Sequence, residues 1–186
     1  MDNEEKIKKS GELYHKLHQV QLEYLNLWLD ETLFHWEWWV SLFLTIAPWL
    51  LWIKLRRKES TSRLLFAGFF IIIITSWLDF IGIWLGLWYY SGKLIPTIPS
   101  FAPWDFCIFP VTAMLLIQFK LSWSPFFKAV VFAGLNSFVG EPLAHLYGFY
   151  TMVNWEYMYS FPIYFIIYLI AYWISNRKNF EKIKVE

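Results

Sequence analysis

Four ionisable side chains lie inside long apolar stretches of the sequence and are candidates for ligand binding: Asp79, Asp105, Glu141 and His145. An ionisable group is costly in lipid, so it normally faces the interior of a helix bundle or a wet cavity. Glu141 and His145 are four residues apart, which places them on one face of a helix. From the predicted spans, all four lie in the outer half of the membrane, about 5 to 10 Å from its midplane. This common depth predicts an outward-facing polar pocket for a small molecule, a lipid headgroup or a cation.

Structural roles are an alternative for each of these residues. Glu141 precedes Pro142, so it can mark a helix kink, or it can hydrogen-bond to a Trp or Tyr of a neighbouring helix. Asp105 lies at a predicted helix start, where the positive end of the helix stabilises a carboxylate. His145 also fits an interfacial position. Gln118, in the inner half, is a further ligand-binding candidate that can instead bond between helices.

Metal and enzyme chemistry are weaker interpretations of the same residues. Carboxylates with an imidazole suit zinc or manganese, but the predicted spans hold no closely spaced pair of histidines, so no metal site and no cofactor are predicted. Glu141 can be imagined as the general acid or base of an intramembrane enzyme. Since no motif names a reaction, the sequence favours a binding role over catalysis.

Composition indicates that these residues are carried by membrane-spanning helices. The 186 residues are 58% hydrophobic and 23% aromatic, and the windows 64–119 and 121–176 hold only three charged residues each. A soluble domain would carry about fourteen charges in each window. With a formal net charge of +1, these counts exclude a soluble globular domain, a disordered chain and a basic nucleic-acid-binding protein. Cys107, the only cysteine, excludes a disulfide framework.

The predicted fold is all-α, with an amphipathic N-terminal helix followed by a bundle of five transmembrane helices. A span needs about 20 mainly apolar residues. The chain is divided into an N-terminal segment at 1–35, a transmembrane domain at 36–174 and a basic cytoplasmic tail at 175–186. The five predicted spans are 36–53, 64–88, 104–119, 126–149 and 157–174.

The distribution of Lys and Arg predicts the orientation, because these residues accumulate on the cytoplasmic side. Five lie in the connection 54–63, Lys120 and Lys128 flank the third connection, and four lie in the tail after residue 174. The other two connections contain only Lys93. We therefore expect the N-terminus outside and the C-terminus in the cytoplasm.

The N-terminal segment carries an apolar stripe made of Leu13, Leu17, Val20, Tyr24 and Leu27. Their spacings of four and three residues place them on one side of a helix. Such a stripe is expected to lie on membrane lipid, the favoured interpretation, or to pack on the outer loops or on a second copy of the chain. The second functional hypothesis, beside the ligand pocket, is accordingly a structural or assembly subunit that docks a protein partner through this helix and the Trp-rich outer face.

Aromatic residues and glycines suggest how the spans end and pack. Tryptophans and tyrosines at span ends, including Trp88 and Tyr90, are typical of interface anchors, whereas Trp77 is deep enough for packing or a pocket wall. The proline-rich connection 89–103 is expected to form a cap or a strand over the bundle. Gly82 and Gly86 have the spacing of a helix-packing face.

Several short motifs follow one another between about 36 and 174: Pro48-Trp49, Arg63-Leu64-Leu65, Ser76 with Asp79, Gly86-Leu87-Trp88, Pro103-Trp104-Asp105, Pro110-Val111, Gln118, Glu141-Pro142, Gly148 to Tyr150, Trp155 and Tyr159-Ser160-Phe161-Pro162-Ile163-Tyr164. Their order resembles an uncharacterised family of small multi-pass membrane proteins from spore-forming Firmicutes. The resemblance implies a bacterial cytoplasmic membrane and draws attention to Asp79, Asp105, Gln118 and Glu141, without implying an activity.

Overall fold

The computed structural model describes residues 2–119 and 122–177. About 77% of the described residues are helical and almost none are in a sheet, which confirms a mainly α-helical fold. Lys120 and residues 178–186 of the predicted cytoplasmic tail lie outside the described residues. The elements are α1 (Asn3–Glu31), α2 (Trp36–Leu55), a 3₁₀ turn (Lys58–Ser60), α3 (Thr61–Trp84), β1 (Trp88–Tyr90), a π-helical turn (Trp104–Ile108), α4 (Phe109–Gln118), α5 (Pro125–Leu135), a second π-helical turn (Asn136–Gly140), α6 (Glu141–Leu146), β2 (Tyr150–Met152) and α7 (Tyr157–Ser175).

In the described part of the chain, four helical segments are long and apolar enough to cross a membrane: Trp36–Leu55, Lys58–Trp84, Pro125–Leu146 and Tyr157–Ser175. The predicted span at 104–119 forms only the shorter apolar helix Trp104–Gln118. At a rise of 1.5 Å per residue this helix is about 22 Å long, less than the hydrocarbon thickness of about 30 Å.

Two predicted spans extend too far at their C-terminal ends. The helices end at Trp84 and Leu146, short of the predicted 88 and 149. Gly86 and Gly148 follow, with φ angles of 68° and 77°. Only glycine adopts this left-handed conformation readily, and it commonly ends a helix. The sequence stays apolar through both turns, so a prediction based on apolar runs alone puts the C-terminal ends of these two helices too far along the chain.

The short helix α4 lies at the centre of the bundle. Phe109, Ala113 and Met114 are completely buried, and the core around them includes Phe132 of α5 and Tyr168 of α7. Because neighbouring helices surround α4, its length does not have to match the thickness of the lipid.

The far end of α4 is tied to two other helices. Gln118 accepts a hydrogen bond from the Arg57 amide (3.2 Å) and donates to the Leu55 carbonyl (3.1 Å) at the end of α2. The buried Lys128, near the start of α5, donates to the carbonyls of Ile117 and Phe119 (3.3 and 2.9 Å). Both side chains thus satisfy backbone groups at helix ends, which would otherwise lack partners.

Strands β1 and β2 form a two-stranded antiparallel sheet at the opposite end of the bundle, with Trp88 paired to Met152 and Tyr90 paired to Tyr150. The outer connection thus contains a strand, as expected, although its partner comes from the connection that follows α6. Since β1 follows α3 and β2 follows α6, both helices end on the same side.

Helix α1 contacts the rest of the chain through its last turns. Trp28 is its only buried residue, and its indole Nε1 donates to the Lys93 carbonyl (2.7 Å). Leu13 and Val20 of the predicted stripe are 59% and 60% exposed. Of the three expected locations for this helix, packing on the outer loops is observed at Trp28, and the stripe itself stays exposed.

Candidate functional site

A partly open cavity of about 170 Å³ lies beneath the two-stranded sheet, and Asp79, Asp105 and Glu141 all line it. The walls come from the second half of α3, strand β1, the start of the helix at Trp104, helix α6 and the first turns of α7. The structure therefore brings three of the five sequence-predicted site residues to one place.

Irregular helix turns position two of the three carboxyl groups. Asp105 lies within the π-helical turn Trp104–Ile108, and Glu141 directly follows the π-helical turn Asn136–Gly140. A π-helical turn inserts a residue and rotates the following side chains around the axis, and such turns are frequent at functional sites. The Glu141-Pro142 sequence thus directly follows a π-helical turn, at the position where a helix kink was one of the predictions.

Asp79 is fully supplied with hydrogen-bond donors. Its Oδ1 accepts from the Tyr90 hydroxyl (2.8 Å) and the Trp88 indole (3.2 Å). The Phe101 amide donates to Oδ2 of Asp79 (3.4 Å) and also to Oδ2 of Asp105 (3.1 Å). Carboxylates that share a donor repel each other unless a proton lies between them, so Asp79 and Asp105 form one coupled group.

Tyr90 remains a donor because of its surroundings. Burial, and secondly the charge of Asp79, raise the pKa of Tyr90 well above its ordinary value of 10.0. Its ring stacks on Phe101, with 5.4 Å between centroids. The hydroxyl therefore keeps its proton, and stacking holds it towards Asp79.

Glu141 is hydrogen-bonded on one side only. The Tyr164 hydroxyl of α7 donates to Oε1, the aromatic partner that the structural alternative anticipated. The residue is 5% exposed, and its Oε2 is buried without a hydrogen-bond partner among the described residues. The Ser160 hydroxyl also interacts with this carboxyl group without forming a hydrogen bond to Oε2. A buried oxygen left without a partner costs about 1–3 kcal/mol.

Indole rings form much of the cavity wall, and two glycines make room for them. The rings of Trp88 and Trp155 meet edge to face, with centroids 5.0 Å apart. A Cβ atom on Gly82 would lie 2.2 Å from the Trp88 ring, and one on Gly140 would lie 2.1 Å from the Trp104 ring. Gly82 therefore accommodates an aromatic ring, whereas its spacing from Gly86 had suggested a helix-packing face.

Two predicted site residues lie elsewhere. Gln118 is at the opposite end of α4, where it bonds to α2. His145 is exposed, and its Nδ1 lies 3.0 Å from the Tyr150 carbonyl. Helix α6 has six residues and ends one residue after His145, so the four-residue spacing from Glu141 does not carry His145 into the cavity. Ala144 lines it instead.

The interpretation of Trp77 as packing or pocket wall is wrong. Its side chain is 60% exposed on the outside of the bundle. Trp77 precedes Asp79 by two residues, which is about 200° around a helix, so the two side chains point in opposite directions.

The donors to the carboxyl groups were missed from the sequence. Trp88 and Tyr90 looked like interface anchors, but they alternate with the exposed Tyr89 in β1 and both reach Asp79. Alternation with period two is the signal of a strand with one buried face and could have indicated them. Tyr164 is 23 residues from Glu141, and no local pattern connects the two.

The donor sets do not resemble a metal centre. Among residues 2–119 and 122–177, no three His, Cys, Asp or Glu side chains are grouped so that they could hold a metal ion. Comparisons with known proteins found no family model, no curated protein and no solved structure that matches the chain.

Proposed function

We propose that this chain is a multi-pass protein of a bacterial cytoplasmic membrane that crosses the bilayer five times and binds a small ligand in an outward-facing cavity. The sequence resemblance to a membrane-protein family of spore-forming Firmicutes belongs to this proposal. Five crossings are supported by connectivity, since α3 and α6 both end beside the sheet while α5 begins at the other end. The chain must therefore return through α4. Because α4 lies at the centre of the bundle, it does not face lipid and can be shorter than a lipid-facing span.

The orientation is supported by where the charged residues lie. Lys54 lies in the last turn of α2 and Arg56, Arg57 and Lys58 follow it, at the end remote from the cavity, as the preference of basic residues for the cytoplasm requires. Helix α1 is tied by Trp28 to the loop beside the sheet. The N-terminal segment and the cavity then share the outer side.

The observation that carries the binding function is the free oxygen of Glu141. Asp79 has its donors supplied by the protein, so a structural role explains it. Glu141 Oε2 has none among the described residues and belongs to a side chain that lines the cavity. A ligand that donates to Oε2 would remove the cost of leaving it unpaired.

Cysteine accessibility tests the open cavity and its side without knowledge of the ligand. In a Cys107→Ser background, we expect Ala144→Cys to react with a membrane-impermeant methanethiosulfonate reagent added from outside. Ile166→Cys is the matched control, because Ile166 is 55% exposed on the outer face of α7, where lipid would exclude the reagent. Reaction of Ala144→Cys only from the cytoplasmic side would contradict the orientation, and no reaction from either side would contradict an open cavity.

Partner docking is a second candidate function, favoured by the exposed stripe of α1. Leu17 and Leu27 are 56% and 58% exposed, and exposed apolar side chains in one stripe are typical of a membrane or protein interaction site. Deleting residues 2–26 retains Trp28 and its contact with Lys93. Loss of a co-purifying protein with an intact bundle would support docking, whereas unchanged composition of the purified protein would count against it.

A further inference from the structure

We infer that the cavity takes a protonated amine, a small organic cation with at least one N–H group and a short apolar body. This inference rests on the proposed ligand-binding function and names the chemical class of the ligand. Its basis is the combination of an unpartnered carboxyl oxygen, a wall without positive side chains and several aromatic faces in one cavity.

The three carboxyl groups differ in whether they keep an oxygen that could accept a hydrogen bond from a ligand. Asp79 accepts from Tyr90, Trp88 and the Phe101 amide, and Asp105 shares that amide. Glu141 has Tyr164 on Oε1 only, and Oε2 is buried without a partner among the described residues. The ligand must therefore bring a hydrogen-bond donor to Glu141, while the Asp79–Asp105 pair supplies negative potential from across the cavity.

The described residues that line the cavity provide no positive charge, since none of them is Lys, Arg or His. Lys93 interacts with the charge of Asp79, but its Nζ donates to the Ile98 carbonyl (2.7 Å) and lies 5.9 Å from the centre of the Tyr24 ring. Because Lys93 does not line the cavity, a positively charged ligand would complement the carboxyl groups there better than a neutral or anionic one.

Aromatic walls favour an organic cation. The faces of Trp, Tyr and Phe rings attract a cation within about 6 Å, with Trp the most effective, and this attraction grows when water is excluded. Trp88, Trp104, Trp155 and Tyr164 all line the cavity. The same rings pack well against a short hydrocarbon body, which a strongly hydrated metal ion lacks.

The volume of the cavity and the arrangement of its polar groups favour a small amine over a metal ion or a quaternary ammonium. No three potential metal ligands are grouped in the described part of the chain, and calcium would require six to eight oxygen ligands. A cavity needs about 10–15 Å³ to admit one water, so 170 Å³ has room for several non-hydrogen atoms. A quaternary ammonium fits the aromatic walls but has no N–H group for Glu141 Oε2.

A matched series of three probes tests the inference on the full chain in nanodiscs of phosphatidylcholine and phosphatidylglycerol. The probes are isoamylammonium, isoamyl alcohol and isoamyl-trimethylammonium, which share the hydrocarbon body and differ in charge and N–H content. Binding is followed by intrinsic tryptophan fluorescence and by thermal stability. We expect saturable binding of isoamylammonium, weaker binding of the quaternary cation and no saturable response to the alcohol.

Two variants place the binding at Glu141. Glu141→Gln keeps an acceptor for Tyr164 but loses the charge, and we expect it to weaken isoamylammonium binding by about tenfold or more, since hydrogen bonds to charged groups are the stronger ones. Glu156→Gln is the matched control, because Glu156 is exposed and does not line the cavity, and its affinity should equal that of the wild type. If Glu141→Gln does not fold, Ala144→Phe places a ring in the cavity while all three carboxyl groups are kept, and it should abolish binding.

The bilayer composition identifies the source of the amine. Phosphatidylethanolamine carries a primary ammonium in its headgroup, so weaker isoamylammonium binding in nanodiscs that contain this lipid would support the inference with a lipid as the natural ligand. Unchanged binding would support it with a free amine. Equal responses to the amine and the alcohol, both abolished by Ala144→Phe, would overturn the inference and leave the ligand-binding function intact. No saturable binding of any probe would overturn the inference, and the cysteine experiment would then decide whether an open cavity exists.

Discussion

A methyl group added to Gly82 should disrupt the wall of the cavity. The new Cβ would lie 2.2 Å from two carbon atoms of the Trp88 ring, whereas carbon atoms in contact are about 3.5–4.0 Å apart. The indole must therefore move by roughly 1.3 Å or more. Its hydrogen bond to Asp79 is already 3.2 Å long, so a displacement of this size breaks it.

The change in the free energy of unfolding is the sum of two destabilising contributions and one stabilising contribution. Overpacking costs about 1–3 kcal/mol and the lost hydrogen bond to a charged group about 1.5–3 kcal/mol. Replacing Gly by Ala within a helix recovers about 1 kcal/mol. The net destabilisation of Gly82→Ala is therefore about 3 kcal/mol, the midpoint of these ranges, which corresponds to a lowering of the melting temperature by about 6–12 °C for a chain of this size.

Thermal unfolding in detergent micelles measures this effect, and Gly134→Ala provides the control. Gly134 lies in α5, and an added Cβ meets nothing within 4 Å, so only the helix-propensity gain applies and stability should stay equal or rise. Trp88→Phe removes the ring atoms that clash, so Gly82→Ala should cost nothing further in that background. If Gly82→Ala proves as stable as Gly134→Ala, the ring does not occupy the position that the structure assigns to it.

Two further predictions concern the loop that holds α1. Trp28→Phe removes the hydrogen bond to the Lys93 carbonyl and should speed amide hydrogen exchange in the last turns of α1 without changing exchange in α4; unchanged exchange in α1 would contradict the role of this contact. Burial lowers the pKa of Lys93 below its ordinary 10.5, an effect that Asp79 partly opposes. At Lys93 the unfolded chain therefore binds more protons just below pH 10.5, so this group contributes stability that rises with pH, whereas the raised pKa of Tyr90 contributes stability that falls with pH. Lys93→Met removes the rising contribution, so its melting temperature should fall more steeply with pH than that of the wild type, and an equal pH dependence in both proteins would exclude a contribution from Lys93.

The helical bundle was predictable because apolar runs report burial in lipid or protein directly. Segments such as Trp36–Leu55 and Tyr157–Ser175 lie within two residues of their predicted bounds. The errors occur where another property decides the structure. The positive φ angles of Gly86 and Gly148 end two helices inside apolar sequence, and the central burial of α4 removes the length requirement that a lipid-facing helix obeys.

The candidate site was predictable only in part, for a related reason. Charge inside an apolar run identifies Asp79, Asp105 and Glu141, since each must find partners away from lipid. Depth alone could not separate them from His145, because depth does not give the direction of a side chain around a helix of six residues. The partners themselves arise from tertiary contacts, such as Tyr164 with Glu141 across two helices, and periodicity carries no information about those.

The contrast between Asp79 and Glu141 separates a structural carboxyl group from one kept for a ligand. Both are buried and both line the same cavity. The protein supplies Asp79 with an indole, a phenol and a backbone amide, which is what a folded chain does with a buried charge that serves only stability. The Trp155 indole donates to the Ser160 oxygen, and the Ser160 hydroxyl interacts with the Glu141 carboxyl group, yet Glu141 Oε2 has no hydrogen-bond partner among the described residues. An unpaired buried oxygen costs about 1–3 kcal/mol. A ligand that donates to Oε2 would remove this cost, and this is the physical reason for placing the ligand at Glu141 and not at the more highly bonded aspartates.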